Sequence, residues 1–325
     1  MTSESEPTIH RLNGPSDLLP LVATFSDLSD GTEFKSYKDS QWRFLLNGEE
    51  ITGFAIYSEE EKERIDGCVL KVNLDDDTVG LGMVLVRPSK RGRGLARALI
   101  EKAMQLENEQ EKRCVLAVCS PLGQPLYRKL GFRDAGMVTT LTCSVSDLMQ
   151  IPRKHFDNEY LLAIDGKSCK NEQLSLLVNH DASATGINRK DRIKLLLHGY
   201  AEGSRSTVAF LSTVGPDLNR FSTAVARQDC ADGPLIIGPM KGREECCIPL
   251  MHALVEKHFG DEGGREMNDI CVMMMVTDHP DLVARLLEIK GMSKVSECPA
   301  MASDGGLIYQ NGDGSYLAMM HPTLG

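Results

Sequence analysis

Val84-Leu85-Val86-Arg87-Pro88-Ser89-Lys90-Arg91-Gly92-Arg93-Gly94-Leu95-Ala96-Arg97-Ala98-Leu99 is the stretch on which the reading of this chain turns. Five cations and two glycines fall between Arg87 and Arg97, and no Asp or Glu occurs between Asp77 and Glu101 to cancel them locally. The surrounding chain is acidic, with 46 Asp and Glu against 36 Lys and Arg, and a formal charge of −10 over 325 residues. The run before Arg87, TVGLGMVLV (78–86), is short and apolar, as a strand is. After the glycines, apolar residues at 95, 98, 99, 103 and 106 recur with a helical period. The basic glycines therefore mark the passage from strand to helix. A helix start leaves backbone N–H groups unpaired and its dipole favours negative charge. Glycine lets the backbone come close to a ligand. A bound anion with phosphate groups is the direct physical expectation.

Several phosphate-binding devices are excluded by spacing. GxxxxGK[ST] is missing, which argues against a nucleoside-triphosphate loop. The dinucleotide fingerprint GxGxxG has Arg97 at its third glycine position, where bulk opposes close helix–sheet packing. A nucleic-acid patch is the third possibility, and one short cluster in an acidic chain argues against it. A merely solvated basic helix start would be unfavourable to the dipole.

Working outward, ITGFAIYS (51–58) and GCVLKVNL (67–74) read as strands before the basic turn. KRCVLAVCS (112–120) reads as a strand after it, followed by a short helix at 124–130 closed by Gly131 and a strand at 137–145. The second half repeats the plan. It places a helix at 191–201, strands at 206–214, 221–228 and 234–240, a helix at 243–259, a strand at 269–276 and a helix at 280–291. Two domains of related architecture are expected, 1–148 and 149–325.

Two motifs now stand in order. Arg91-x-x-Gly94-x-Ala96 resembles the R/Q-x-x-G-x-G/A signature of the GNAT acyltransferase superfamily, and Gln124-Pro-Leu-Tyr127-Arg-Lys-Leu-Gly131-Phe132 resembles that family's LYxxxGF segment. The resemblance covers about residues 50–145. It implies an α+β fold of two GNAT-like domains, each a mixed, mostly antiparallel twisted sheet flanked by helices. It further implies acetyl-CoA as co-substrate. Backbone groups of Val84, Leu85 and Val86 would pair with the pantetheine arm like an added strand. Backbone N–H groups of Arg91, Gly92, Arg93, Gly94, Leu95, Ala96 and Arg97 would hold the pyrophosphate. Tyr127 matches the family tyrosine that protonates the departing thiolate, and aromatic packing on the sheet is its structural alternative. The expected reaction is direct acetyl transfer to an amine, either a small molecule or a lysine side chain.

A general base is not readable. TVGLGMVLV carries no ionisable side chain, and Asp75, Asp76 and Asp77 read as well as a solvated turn. Cys119 or Ser120 as a nucleophile is the lesser alternative to direct transfer. A non-catalytic acetyl-CoA-binding sensor or interaction protein is the rival reading of the whole.

In the second half the equivalent turn is Gly238-Pro-Met-Lys-Gly-Arg-Glu244-Glu245. Two carboxylates in the first helical turn suit the dipole and would repel a pyrophosphate. That domain is expected to be degenerate. The ten cysteines are scattered without a CxxC pair, which points to reduced thiols, and the eight histidines show no metal-ligand spacing. No apolar run approaches the length of a membrane span, and the N-terminus MTSESEPTIH is polar, so a cytoplasmic location is expected, with the nucleus possible. The net negative charge favours a cationic amine as acceptor.

Overall fold

The computed structural model describes residues 7–29, 39–61, 63–74, 78–105, 113–116, 118–153, 155–156, 159–186, 188–198, 203–213, 221–230, 233–260, 270–304 and 316–319. In the first half, β1 (His10–Asn13) leads into α1 (Gly14–Leu18), α2 (Val22–Ser29) and α3 (Asp39–Leu46). Then come β2 (Ile51–Tyr57), β3 (Ile65–Asn73), β4 (Thr78–Val86), α4 (Leu95–Met104), β5 (Arg113–Leu116), α5 (Gln124–Lys129), β6 (Arg133–Ser144) and α6 (Val145–Met149). The second half runs β7 (Tyr160–Asp165), α7 (Asn171–Thr185), α8 (Lys190–His198), β8 (Arg205–Ser212), β9 (Ser222–Gln228), β10 (Leu235–Lys241) and α9 (Cys247–Phe259). It ends with β11 (Cys271–Thr277), α10 (Pro280–Leu287), β12 (Ser293–Ala302) and β13 (Tyr316–Ala318). The strands and helices expected from periodicity are present, with ends shifted by a few residues.

Among the described residues the strands form one sheet in the order β1-β2-β3-β4-β5-β12-β6-β11-β13-β10-β9-β8-β7. Chain order and spatial order part company at its centre. β12 of the second half lies between β5 and β6, pairing Met301 with Leu116 on one side and Cys298 with Val138 on the other. β6 of the first half in turn pairs with β11, Cys143 opposite Val272. Each half thus lends a strand across the middle, and the chain boundary expected between 148 and 149 does not coincide with a break in the sheet.

Alternation along the strands divides the core by face. In β2, Ile51 and Ala55 enter one cluster and Phe54 and Ile56 another. The first cluster is shared by both halves and is covered by α1–α3 with α7 and α8, Trp42 stacking on Phe25 at 5.7 Å. The opposite face holds two separate clusters. One lies under α4 and α5, the other under α6, α9 and α10. A fully buried leucine in these clusters contributes about 1.5–3 kcal/mol. The shared face therefore joins the lobes, while each lobe keeps its own opposite face for local work.

Candidate active site

The site begins with an irregular strand. β3 and β4 pair Leu70 with Gly82 and Cys68 with Leu85, so β4 carries one more residue than its partner across this interval. The extra length is a bulge at Met83, whose φ is +50° although it is buried and carries a side chain. Such a conformation costs about 1–3 kcal/mol and persists where its surroundings fix it. The Cys68 thiol donates to the Met83 carbonyl at 3.5 Å. A bulge bends its strand and re-aims the residues beyond it.

Beyond the bulge the sheet opens. β4 pairs in parallel with β5 at Thr78, Val79 and Gly80, opposite Arg113, Cys114 and Val115, and among the described residues the pairing ends there. A cavity of about 430 Å³ is lined by Val84, Leu85 and Val86, by Lys90, Arg91, Gly92, Gly94, Leu95, Ala96 and Arg97, and by Ser120, Leu122, Gly123, Leu126 and Tyr127. The strand edge, the basic turn and the tyrosine segment expected from sequence therefore share one wall system. Arg93 is exposed and is not among the lining residues. Leu122, Gly123 and Leu126 carry no sequence signal beyond their position just before and within LYRKLGF. Leu122 is 71% exposed, an apolar side chain standing at the rim.

The glycines are required by backbone shape. Gly92 has φ +77° and Gly94, the residue before α4, has φ +79°, while a Cβ at either would meet nothing within 4 Å. Space is open there, and the left-handed conformation alone selects glycine. No side chain caps α4 and no acid lies in its first turn. Its orphan N–H groups are the fixed partial positive charge of the site.

The cations divide into different jobs, and folding brings to some of them the acids that the local sequence lacks. Arg87 is buried and donates to Asp27 at 2.8 Å and to the Ile65 carbonyl at 3.0 Å, with Asp66 at 3.5 Å. Lys90 lies 3.5 Å from both Glu60 and Asp66. These acids come from α2, from the β2–β3 turn and from β3, distant in sequence. Arg91 donates to the Val86 carbonyl at 3.0 Å, bracing the turn against the strand, and Arg97 pairs with Glu101 at 2.8 Å.

Tyr127 serves packing and cavity at once. It is 8% exposed, belongs to the core under α4 and α5, and meets Phe132 edge-to-face at 6.2 Å. A Cβ at Gly123 would come within 2.7 Å of its ring, so glycine there is what lets the tyrosine lie against the chain. Ser120 lines the cavity and its hydroxyl accepts from the Gly123 N–H at 3.4 Å. Cys119 is fully buried, its thiol donates to the Leu116 carbonyl at 3.8 Å, and burial pushes its pKa well up. A thiol held protonated is a poor nucleophile, and Cys119 is not among the residues that line the cavity, whereas Ser120 is. Among the described residues no carboxylate or histidine lines the cavity. Asp75, Asp76 and Asp77 lie outside the described residues.

Two further sequence expectations meet the structure elsewhere. The ten cysteines are free and mostly buried, and among the described residues no cluster of His, Cys, Asp and Glu could hold a metal ion. No described helix is long and apolar enough to cross a membrane.

Residues 49–134 match the family model described as the acetyltransferase (GNAT) domain. Among solved structures, the tandem GNAT protein of the clavulanic acid biosynthesis pathway superposes with a TM-score of 0.65 at 13% identity, over 92% of this chain and 99% of that one. A Pyrococcus horikoshii protein assigned to the acetyltransferases gives 0.64 at 15% identity over 100% of both chains. A GCN5-related N-acetyltransferase from Anabaena variabilis gives 0.53 at 18% identity, over 91% of this chain and 72% of that one. No curated protein matches in sequence. The structural likenesses establish the two-lobed fold, and the family match falls on β2 through the start of β6, the elements that build the cavity. Residues 49–134 therefore carry the match to the acetyltransferase (GNAT) domain, within a chain that has the two-lobed fold of these structures.

Proposed function

We propose that the first lobe transfers an acetyl group from acetyl-CoA to an amine by direct attack, with Val84–Val86 and Arg91–Arg97 holding the donor and Tyr127 as general acid. The observation that carries this reading is the one cavity that joins the open edge of β4, the uncapped start of α4 and the Tyr127 ring. The strand edge suits an amide-bearing arm laid alongside it, and the helix start with Arg91 and Arg97 suits a pyrophosphate. GNAT enzymes as a family use acyl-CoA donors and amine acceptors.

The amine nitrogen attacks the thioester carbonyl carbon. A C–N bond forms, the C–S bond breaks, and the CoA sulfur takes the phenolic proton of Tyr127. The proton released from the amine leaves through solvent, since no carboxylate or histidine among the described residues lines the cavity, and a second solvent exchange restores the phenol. Holding the donor in place makes the encounter effectively unimolecular.

The test is acetyl-CoA turnover against a panel of amines, amino acids, polyamines and lysine peptides, with Tyr127→Phe beside the native chain. Phenylalanine keeps the ring contacts with Phe132 and removes the proton. The expected result is a loss of about 10²–10⁴-fold in kcat with KM for acetyl-CoA nearly unchanged. Undiminished kcat would remove Tyr127 from the chemistry. Tight acetyl-CoA binding with no acceptor in the panel turned over would favour a donor-sensing protein instead.

A further inference from the structure

The second lobe repeats the opening of the first. β10 and β11 pair in parallel at Leu235, Ile236 and Ile237, opposite Val272, Met273 and Met274. β4 and β5 do the same at Thr78–Gly80 and Arg113–Val115. Each of the two strands then bulges toward its other neighbour, β4 at Met83 and Val84 between Gly82 and Leu85 and β10 at Gly238 and Pro239 between Ile237 and Met240, so Met240 and Lys241 stand where Leu85 and Val86 stand in the first lobe. Here the gap between the parting strands is filled by protein. β13 enters it antiparallel to both sides, with Ala318 opposite Met240 on one side and Val276 on the other, and Tyr316 opposite Lys241.

β13 is firmly seated. The Met319 N–H donates to the Met275 carbonyl at 3.0 Å, and the Thr277 hydroxyl donates to the Tyr316 carbonyl at 2.6 Å. Leu317 and Ala318 enter the core beneath α9, and Tyr316 and Met319 enter the core shared by both lobes. Arg189 donates to the Tyr316 hydroxyl at 2.9 Å and to both carboxylate oxygens of Asp181, at 2.9 and 2.6 Å, all three side chains being buried. A charge pair taken out of water in this way is costly to leave half-made, so the phenol is held by a buried pair on the face covered by α7 and α8.

We propose that the opening between β10 and β11 is a strand-binding site whose occupant is the chain's own Tyr316–Ala318, lying where the first lobe has its donor-binding strand edge. The second lobe accordingly takes no acyl-CoA, and the chain binds one donor. The occupant is an extended peptide, as an edge that recognises backbone requires.

Hydrogen exchange of the full chain, read by mass spectrometry with and without saturating acetyl-CoA, tests this together with calorimetric stoichiometry. Amides of 316–319 should exchange at least 100-fold more slowly than an unstructured peptide and should not change with acetyl-CoA. Donor binding should slow exchange at 84–97 and saturate at one molecule per chain. Unprotected 316–319, two donors per chain, or faster exchange at 316–319 on donor addition would each overturn the proposal. Ala318→Pro removes a ladder N–H and should raise exchange in β10 and β11 while donor binding in the first lobe persists; unchanged exchange there counts against the proposal. If that variant does not fold, the native chain's exchange and stoichiometry still decide. Acetyl-CoA that binds nowhere would defeat the first-lobe reading, and protection at 316–319 would remain the separate test of this one.

Discussion

Both lobes pass from a strand to a helix through a glycine turn, and the two turns differ in room and in charge. At Gly92 and Gly94 a Cβ would meet nothing within 4 Å, and the helix beyond begins without an acid. At Gly242 a Cβ would fall 2.1 Å from the Ser222 hydroxyl, so that turn is packed down on β9. Glu244 and Glu245 come next in the chain, Glu244 accepting from His279 at 3.0 Å and also engaged by Arg285, Glu245 paired with Arg243 at 2.8 Å. One backbone plan thus gives a bare positive helix start in the first lobe and an acid-filled, tied one in the second. The fold supplies the opening; a few side chains decide whether a phosphate can use it.

The sharpest way to break this contrast is to move the acid across. Gly94→Glu places a carboxylate at the start of α4 and a side chain at φ +79°. The left-handed backbone costs about 1–2 kcal/mol, and the loss of favourable dipole interaction with the anion adds to it. KM for acetyl-CoA should rise by about 100-fold. Since the space around Gly94 is open, the melting temperature should fall only modestly, and steady-state kinetics beside thermal denaturation would separate the two effects. An unchanged KM would mean that the helix start does not touch the donor.

Arg87 tests the other half of the comparison, that proximity in sequence does not make a cation part of the proposed donor site. Its side chain is 11% exposed and satisfies Asp27, Asp66 and the Ile65 carbonyl. Arg87→Ala strips one partner from the buried Asp66, and chemical denaturation should show a loss of about 3 kcal/mol. KM for acetyl-CoA should stay within about twofold. A large rise in KM at constant stability would return Arg87 to the ligand.

The sheet of the first lobe was legible because its strands are short apolar runs bounded by turns, and because the helix at 95 has clear periodicity. The cavity was legible for a different reason: glycines, cations and a tyrosine with specific spacing leave a trace that packing alone does not. The exchange of β6 and β12 was not legible, since the partners lie more than 150 residues apart and nothing local in SKVSECPAMA marks it as a central strand. That strand is exposed over Ser293–Glu297 and buried over Cys298–Ala302, so it shows no alternation, and Pro299 argues against a strand interior. α7 was missed because Asn171–Thr185 mixes polar and small residues around the helix. The acids that neutralise Arg87 and Lys90 were invisible for the same reason as the strand exchange: they are neighbours only after folding.

The lobes also differ in how they should respond to acid. His258 in α9 is buried, its Nδ1 2.9 Å from the Thr207 hydroxyl and its Nε2 3.3 Å from the Gln228 amide oxygen. Burial first, and then the Arg205 guanidinium, pull its pKa down to about 4. The native chain therefore binds fewer protons than the unfolded chain between about pH 6.5 and 4. Stability from this group is full above pH 6.5 and is lost as pH falls, with a slope of up to about 1.4 kcal/mol per pH unit, levelling below pH 4. His180, held down to about 4 by burial and Lys241, adds to the same trend. Urea unfolding between pH 7 and 4.5 should show a shallower decline for His258→Gln than for the native chain. Parallel curves would mean that His258 titrates normally.

Arg97 sharpens the contrast at its small end. It lines the cavity in the first turn of α4, and its side chain is 62% exposed and paired with Glu101 across one helical turn. An exposed pair of this kind contributes about 0.3–0.5 kcal/mol, so Arg97→Ala should leave the melting temperature almost unchanged. Its charge is well placed for a phosphate near the helix start, yet solvent and salt screen it. The expected effect is a rise of about three- to tenfold in KM for acetyl-CoA at low salt, shrinking as ionic strength increases, with kcat constant. The salt dependence is the informative part. The uncapped helix start contributes fixed dipoles that the variant retains, so native and variant KM values should converge at high salt while both stay far below that of Gly94→Glu. Failure to converge would show that Arg97 contacts the donor by a shielded hydrogen bond instead of a screened charge.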